Sequence, residues 1–490
     1  MGLSIERSDF TENEFDHAHA KLRENLRALR LLLQRPGFGV GEPSLGAELE
    51  LHIVDDNGQA LPLNREVLAE SLDPQLQLEL DRFNLEYNLA PVPARGKPFA
   101  AMQGELEHAL ATIDQKAELY GGTTVGIGIL PTLSKQQLDS GSMTDLPRYH
   151  ALSKGIERIR KGELRIVIDG AEPLDEVCQG LSVEGANTSF QLHLRVNPEE
   201  FAATYNAAQL MTPVALSVAA NSPFLFGHDL WDETRIALFK QSVDTRGADS
   251  HEWRRAARVP FGEGWVRDGA YELFAESCLN YPILIPLTSS EDPLAIVGDG
   301  GVPELAELRL QQGTIWNWNR AVYDASNSGH LRIEFRALPS GPTPVDVMAN
   351  AAFLLGLTMG IRDQIDELLP ALPFRYAQYN FYRSAQRGLD AELLWPELDS
   401  ISPETVTALD LCQRLLPVAE RGLSKLGVDE AESTHLLNLI RQRINKKINP
   451  AVWQRKTLER FSNKPREKGL VAMLREYMKN AKSGAPFSEW

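Results

Sequence analysis

Cysteine is scarce in this sequence, and the cysteines that are present lie far apart. Among 490 residues the chain has only Cys178, Cys278 and Cys412, and it contains no CxxC pair. Such spacing argues against a disulfide framework and against a cysteine zinc site. The first residues, MGLSIERSDF, also lack the basic and apolar stretches of a secretory signal. We therefore expect a soluble protein of the reducing cytoplasm.

Several common functional signatures are missing as well. The glycine-rich stretches VGDGG and GVGEPSLG lack the GxGxxG and GxxxxGK[ST] spacings that hold phosphate at a helix start, so they are interpreted as turns. The chain has neither a G-x-S-x-G elbow nor an H-E-x-x-H helix, which leaves hydrolase and zinc-enzyme interpretations without support. Apolar stretches such as NAAFLLGLTMGI are too short to span a bilayer, so we expect no membrane association.

Positive charge is in deficit over the chain as a whole. There are 50 Lys and Arg against 67 Asp and Glu, a net charge of −17, which argues against a nucleic-acid-binding body and against adsorption to anionic membranes. Residues 441–482 are the exception, with thirteen Lys or Arg and three Glu. This basic segment is either a set of solvated helix faces or a nucleic-acid contact.

The composition, 43% hydrophobic and 24% charged, is typical of a globular protein, and its patterning predicts both helices and strands. Apolar residues three and four apart predict helices over 13–35, 98–119 and 201–221, whereas strict alternation predicts strands in GAELELHI, FQLHLRV and GHLRIEFRALP. Alternating strands favour antiparallel sheets. We predict an α+β fold with an N-terminal helix in 1–36, an α+β catalytic core in 37–345 and a helical C-terminal region in 346–490 that packs on the core.

Three predicted strands carry rows of polar residues on one face, and a nearby stretch adds two more acids. Such a face either lies in water or lines a site. If the rows share one cavity, the carboxylates cannot all stay ionised without cations, and oxygen ligands with few thiols select Mg²⁺ or Mn²⁺. The rows are Glu48, Glu50 and His52; Gln191, His193 and Arg195; and Arg332, Glu334 and Arg336; the added acids are Glu79 and Glu86.

Taken together, five stretches resemble the second family of glutamate-cysteine ligases, which includes bacterial carboxylate-amine ligases and plant-type enzymes. They are GAELELHI, DRFNLEYNLAP, FQLHLRV, ALSVAANSPFLFG and LRIEFRALPSGPTPVDVMANAAFLLGL. The resemblance spans most of residues 40–360 and returns in the terminal GAPFSEW. It implies a curved, mainly antiparallel sheet related to the glutamine synthetase catalytic domain. This sheet would form the active-site cavity, with helices packed on its outer face.

The resemblance also implies a reaction and roles for individual residues. ATP would phosphorylate a carboxylate, typically that of glutamate, and an amine, cysteine by default, would displace the phosphate to form an amide. Mg²⁺ or Mn²⁺ would be the cofactor, and ATP, an amino acid and an amine would be the binding partners. The implied metal ligands are Glu48, Glu50, Glu79, Glu86 and Glu334; the catalytic residues are Glu334 and Arg336; the substrate-binding residues are Arg235, Gln191, His193 and Arg148.

Two departures from the family pattern leave the substrates open. The pair Gln191 and His193 stands where many members have two histidines, and residues 245–330 follow no member closely. A non-catalytic relative that binds a nucleotide or amino acid and acts through a partner is therefore the alternative to an enzyme. A degenerate site would have lost some of its acids, and the retention of Glu48, Glu50, Glu86 and Glu334 favours the enzyme.

Overall fold

An antiparallel sheet of seven strands organises the described part of the chain. The computed structural model describes residues 5–139, 141–246, 255–396 and 403–490. The strands are β1 (Ser44–Val54), β2 (Leu76–Leu78), β3 (Asn84–Pro93), β4 (Thr123–Val125), β5 (Leu164–Ile168), β6 (Leu174–Cys178), β7 (Phe190–Val196), β8 (Phe224–Leu225), β9 (His228–Asp229), β10 (Asn319–Asp324), β11 (His330–Phe335), β12 (Glu392–Trp395) and β13 (Glu404–Thr407). The sheet has the order β10-β11-β7-β1-β3-β2, and β4 also pairs with β1.

Helices pack around this sheet and make up most of the described chain after it. They are α1 (Glu12–Leu33), α2 (Asn64–Ser71), α3 (Pro98–Glu118), α4 (Pro147–Arg160), α5 (Phe201–Ala219), α6 (Thr234–Ser242), α7 (Ala270–Leu279), α8 (Pro293–Gly298), α9 (Ala306–Gln312), α10 (Pro344–Ile361), α11 (Ile365–Leu368), α12 (Phe374–Arg387), α13 (Ala408–Lys425), α14 (Glu430–Lys446), α15 (Pro450–Glu459) and α16 (Arg466–Lys482). The α+β prediction is confirmed, and the first three predicted helices correspond to α1, α3 and α5 within two residues at each end.

Strand register brings the polar rows side by side. Residues directly opposite one another on antiparallel strands project to the same face of a sheet. Glu48 on β1 lies opposite Gln191 on β7, and Glu50 lies opposite Glu86 on β3. One strand further along, Glu334 on β11 lies opposite the histidine of β7. The alternation in the sequence is therefore sufficient to bring the predicted acids of these strands onto one face.

The other face of the sheet is the main hydrophobic core. Leu49 and Leu51 of β1 and Leu192 of β7 are at most 2% exposed, and they belong to the same buried cluster as the apolar residues of α3, α5 and α10. Burying one face of each alternating strand supplies the hydrophobic driving force that fixes the register. A slip by one residue would move the carboxylates into this core, so the core and the polar face stabilise the same arrangement.

The central helix α10 is more apolar than its sequence pattern suggested. The segment Pro344–Ala371 is long and apolar enough to cross a membrane, yet 94% of its most apolar stretch is buried inside the protein. It packs against α13 at glycines, because a Cβ at Gly422 would lie 1.8 Å from the carbonyl oxygen of Gly356. This helix is therefore a core element, although the apolar segment is longer than the stretch NAAFLLGLTMGI that was expected to be too short to span a bilayer.

Two regions combine strand with other structure. In the glycine-rich stretch GGTTVGIGILP only Thr123–Val125 forms a strand. The chain then passes so close to its neighbours that a Cβ at Gly128 would lie 3.1 Å from Ser222. The region after residue 346 is helical as predicted, but it also contains the β12–β13 hairpin.

The basic segment 441–482 is largely tied to the rest of the fold. Arg443 and Asp346 form an ion pair of 2.6 Å with both side chains fully buried. Arg455 pairs with Asp229 at 2.6 Å and also with Asp232. Arg443 and Arg455 therefore have a structural role within the fold, and a nucleic-acid contact through this segment stays an untested alternative.

Candidate active site

A cavity of about 420 Å³ opens on the polar face of the sheet. Its wall combines acids from β1 and β3, side chains from α4, arginines near β10 and β11, and several apolar side chains. Most of the residues that the sequence singled out line it, namely Glu48, Glu50, Glu79, Glu86, Arg148, Gln191 and Arg336. The structure therefore brings most of the predicted site together, from stretches almost 300 residues apart in the sequence.

A second cavity, of about 330 Å³, adjoins the first along β1 and β7. Glu48 lines both cavities, and His193 lines the second. Arg195 and Arg332, the remaining cations of the polar rows, line the second cavity as well. The polar face thus carries an acidic chamber and a more basic one, with Glu48 between them.

Glu48, His193 and Glu334 form a compact cluster at this boundary. Each offers one possible ligand atom, and these atoms all lie within 4.8 Å of one another. The Nε2 of His193 lies 2.9 Å from Oε1 of Glu48. Burial opposes ionisation of Glu48, but His193 outweighs it and holds the pKa of this carboxyl below its usual value. Two carboxylates and an imidazole suit a divalent cation such as Mn²⁺ or Mg²⁺.

Glu334 is held between two arginines. Arg320 donates from Nε at 2.6 Å and from Nη2 at 2.9 Å, and Arg336 donates from Nη1 at 2.5 Å. Burial raises the pKa of Glu334, but Arg320 and Arg336 together lower it well below its usual value. Arg336 Nη1 also contacts Gln191 Oε1, which fixes the guanidinium at the cavity wall.

Four carboxylates of the acidic chamber have less positive charge beside them than Glu334 has. Burial, reinforced by Glu79, raises the pKa of Glu50 to about 7, although Glu50 accepts hydrogen bonds from Ser189 N at 2.6 Å and from an adjacent amide. Burial and repulsion from neighbouring acids also raise the pKa of Glu79, of Glu86 and of Glu184. A buried cluster of like charge gains stability from bound cations, and an all-oxygen donor set fits Mg²⁺.

Arg235 lies behind the wall of the cavity. Its side chain is 2% exposed and donates to Glu233 at 3.0 Å and to the carbonyl oxygens of Arg336 and Ala337. Arg235 makes these contacts because the short α6 buries its side chain against the segment that follows β11. In this conformation Arg235 supports Arg336, and its predicted contact with a substrate carboxylate stays a prediction.

His52 and Arg148 occupy two different positions relative to the cavity. His52 is fully buried, with Nδ1 3.1 Å from Asn84 Nδ2 and Nε2 3.3 Å from Thr188 Oγ1. Burial lowers the pKa of His52 to about 3, so the ring is neutral. Arg148 lines the cavity and donates to the carbonyl oxygen of Leu78 at 2.8 Å. His52 therefore belongs to the protein interior, and Arg148 stays a candidate for substrate binding.

Arg320 and Glu184 are charged residues of the cavity that were not predicted from the sequence. Arg320 lies directly opposite Glu334 in the β10–β11 hairpin, and the alternation in NRAVYD next to LRIEF was a usable signal for it. Glu184 reaches the cavity from a single 3₁₀ turn, Glu184–Ala186, before β7. An isolated glutamate in a turn has no periodic pattern, so no local signal marks it.

Comparison with known proteins agrees with this arrangement. Residues 44–469 match the glutamate-cysteine ligase family 2 (GCS2). A Frankia alni protein provisionally named glutamate-cysteine ligase 2-1 is 23% identical over 401 residues, 79% of this chain and 86% of that protein. A Mycolicibacterium vanbaalenii protein provisionally named glutamate-cysteine ligase 2-2 is 33% identical over 115 residues, 23% of this chain and 29% of that protein.

A solved structure shares the fold. The crystal structure of Francisella tularensis glutamate-cysteine ligase in complex with AMP has a TM-score of 0.58 and 12% sequence identity, and the match covers 91% of this chain and 90% of that one. At this identity the likeness concerns the fold alone. The family match covers most of the sequence and includes the strands that carry the acids. The chain therefore belongs to glutamate-cysteine ligase family 2.

Proposed function

We propose that the protein is an ATP- and Mg²⁺-dependent ligase that joins a carboxylate, that of glutamate, to an amine through an acyl phosphate, with cysteine as the default acceptor. Family membership supports the general class of ATP-dependent carboxylate-amine ligase. The observation that carries the proposal is the convergence of Glu48, Glu50, Glu86, Glu334 and Arg336 around one site on the sheet.

The reaction brings two anions together, and the site has the charges that this requires. A carboxylate oxygen attacks the γ-phosphorus of ATP, ADP leaves, and the amine nitrogen then attacks the acyl carbon while phosphate departs and the amine loses a proton. Arg336 would stabilise charge on the transferred phosphoryl group, because preorganised cations stabilise charge that develops in the transition state. Glu334 and Gln191 hold its guanidinium in place, so little reorganisation is needed.

The donor sets also define where divalent cations would bind. Glu48, His193 and Glu334 would hold one, and Glu50, Glu79 and Glu86 would contribute to binding on the acidic side. Bound Mg²⁺ would neutralise the triphosphate and the carboxylate so that they can approach each other. These donors fit because the acidic side is a buried cluster with raised carboxyl pKa values.

The charges of the two chambers suggest a division between the substrates. In this proposal ATP phosphates occupy the chamber with Arg195 and Arg332, and the amino acid and the amine occupy the larger acidic chamber. Arginine favours phosphate because its planar donors match two oxygens at once. Transfer then takes place at the boundary, beside Glu48 and Arg336.

The test is phosphate release by purified protein with ATP, Mg²⁺, glutamate and a panel of amines. We expect release only when both the carboxylate and an amine are present, and a loss of at least 100-fold in Glu334→Gln and in Arg336→Lys. Glu163→Gln, at an exposed glutamate, is the matched control and should keep full activity.

Two outcomes would contradict the proposal. Phosphate release that needs no carboxylate would indicate a simple ATPase. ATP binding that survives Glu334→Gln and Arg336→Lys, without turnover on any amine, would instead support the non-catalytic relative that acts through a partner.

A further inference from the structure

Part of the lining of the acidic chamber is apolar, although the proposed reaction centre is highly charged. Several of its side chains come from elements outside the main sheet, and Leu152, Leu310 and Trp316 are only partly buried because they face the cavity. Trp316 is held by an edge contact with Phe239 at 6.0 Å between ring centroids. Six side chains form the apolar lining considered in this proposal, namely Leu152, Leu181, Val243, Ile285, Leu310 and Trp316.

Glu184 lines the same cavity and lacks a partner. Within the described residues its carboxylate has no hydrogen bond and no ion pair, in contrast to Glu48 and Glu334. The backbone N–H of Glu184 bonds to the carbonyl oxygen of Leu181, so the turn that carries the acid also carries part of the apolar lining. Burial, then repulsion from Glu79 and Glu50, raises the pKa of Glu184 well above its usual value, and Arg336 offsets only part of this effect.

An acid without a partner beside an apolar lining is complementary to one kind of ligand. An ammonium group would offset the repulsion around Glu184, and an alkyl or aromatic substituent would remove the apolar lining from water. The ammonium group of cysteine could bind the Glu184 carboxylate, but the short polar side chain of cysteine would leave most of the apolar lining unfilled. Pocket specificity for a hydrocarbon chain comes from the buried area of each methylene.

We propose that Glu184 binds the ammonium group of the acceptor substrate. The apolar lining of the same cavity would then select an acceptor amine with an apolar substituent. This inference rests on the proposed ligase function, because it names the class of the acceptor. Neither the five resembling stretches nor the family pattern assigns Glu184, and the lining lies largely outside them.

The test compares straight-chain amines from methylamine to butylamine, together with cysteine and hydroxylamine, at fixed ATP, Mg²⁺ and glutamate. Hydroxylamine is small and mostly uncharged at neutral pH, and its hydroxamate product reports ligase chemistry without using either part of the subsite. We expect kcat/KM to rise about fourfold for each added methylene, and butylamine to exceed cysteine. Trp316→Ala should flatten the series.

Glu184→Gln tests the charged half of the subsite. It should lower kcat/KM for butylamine at least tenfold more than for hydroxylamine, because only the charged amine loses an ion pair. Glu163→Gln, at an exposed position, should change neither value. A shift in the Mg²⁺ dependence of the hydroxylamine reaction in Glu184→Gln would overturn the proposal, since it would make Glu184 a metal ligand.

The outcomes separate the two proposals. Hydroxamate formation with a flat amine series, or with cysteine preferred, overturns the apolar subsite and leaves the ligase function standing. Absence of hydroxamate and of phosphate release with every amine overturns both. Because the amine series uses the unaltered protein, the result does not depend on whether a variant folds.

Discussion

Arg320 and Glu334 lie directly opposite each other in the β10–β11 hairpin, and the guanidinium of Arg320 donates a hydrogen bond to each oxygen of the carboxylate. The two donor–acceptor distances are 2.6 Å from Nε and 2.9 Å from Nη2. Glu334 in turn bonds Arg336 at 2.5 Å, so the position of the proposed phosphoryl-stabilising arginine depends on a residue one strand away. A bidentate contact of this kind fixes orientation as well as charge.

Replacing Arg320 with Gln should therefore impair turnover more than stability. Glu334 would lose one charged partner but keep Arg336, so the position of the carboxylate and of the proposed phosphoryl-stabilising arginine would change. Hydrogen bonds to charged groups contribute about 1.5 to 3 kcal/mol, so we expect kcat to fall roughly 10- to 150-fold. Steady-state phosphate release measures this effect.

The control for this variant is Arg165→Gln. Arg165 also pairs with an acid across a hairpin, Asp175, but both side chains are more than half exposed. Exposed pairs contribute little, so its kinetics should match the unaltered protein. Equal losses in the two variants would contradict the role given to Arg320.

A second prediction concerns the fully buried ion pair between Asp346 and Arg443. Asp346 also accepts hydrogen bonds from Thr343 Oγ1 at 2.6 Å and from Phe487 N at 2.9 Å, which ties the C-terminal turn to α10. Arg443→Met should leave this carboxylate buried without its cation and destabilise the protein by about 3 to 5 kcal/mol. Denaturant unfolding measures the change.

The matched surface variant for that measurement is Arg460→Met. Arg460 pairs with Glu476 at 2.8 Å in the same basic segment, but its side chain is 59% exposed. Loss of this pair should cost less than about 1 kcal/mol. Comparable losses of unfolding free energy would show that the buried ion pair contributes no more to stability than the exposed pair.

Some of the site could be predicted from the sequence because strand alternation fixes which residues share a face. Glu48, Glu50 and Glu334 lie on one face for this reason. The positions of residues that distant segments bring to the site could not be predicted in this way. Neither the burial of Arg235 behind the wall nor the arrival of Glu184 from a single turn follows from any periodic pattern, because both depend on how distant segments pack.

A third prediction follows from His52. Burial lowers its folded-state pKa to about 3, against an ordinary value of 6.5. The unfolded state therefore binds the proton more readily, so the stability contributed by neutral His52 is complete above pH 6.5 and is lost as the pH falls toward 3. The loss should approach 1.4 kcal/mol per pH unit.

The check on His52 is the difference between two pH profiles. Carboxylates also titrate in this range, so the free energy of unfolding is measured for the unaltered protein and for His52→Asn between pH 6.5 and 4. Asn can keep a hydrogen bond to Asn84 or Thr188 but cannot be protonated. We expect a shallower slope in the variant, and parallel profiles would show that His52 is not the titrating group.

The fourth prediction links metal binding to Glu50. Its pKa is raised to about 7, first by burial and then by Glu79, so near neutral pH the metal-free protein holds a proton there about half of the time. A metal ligand must be deprotonated, and binding of Mg²⁺ should therefore release protons. Calorimetry in two buffers of different ionisation enthalpy measures this release.

The apparent affinity for Mg²⁺ should increase as the pH rises from 6 to 8, because fewer sites must first lose a proton. Glu50→Gln should reduce the release, whereas Glu163→Gln should leave it unchanged. Proton release that is undiminished in Glu50→Gln would assign the coupling to Glu79 or Glu86, whose pKa values are also raised by burial in the same cluster.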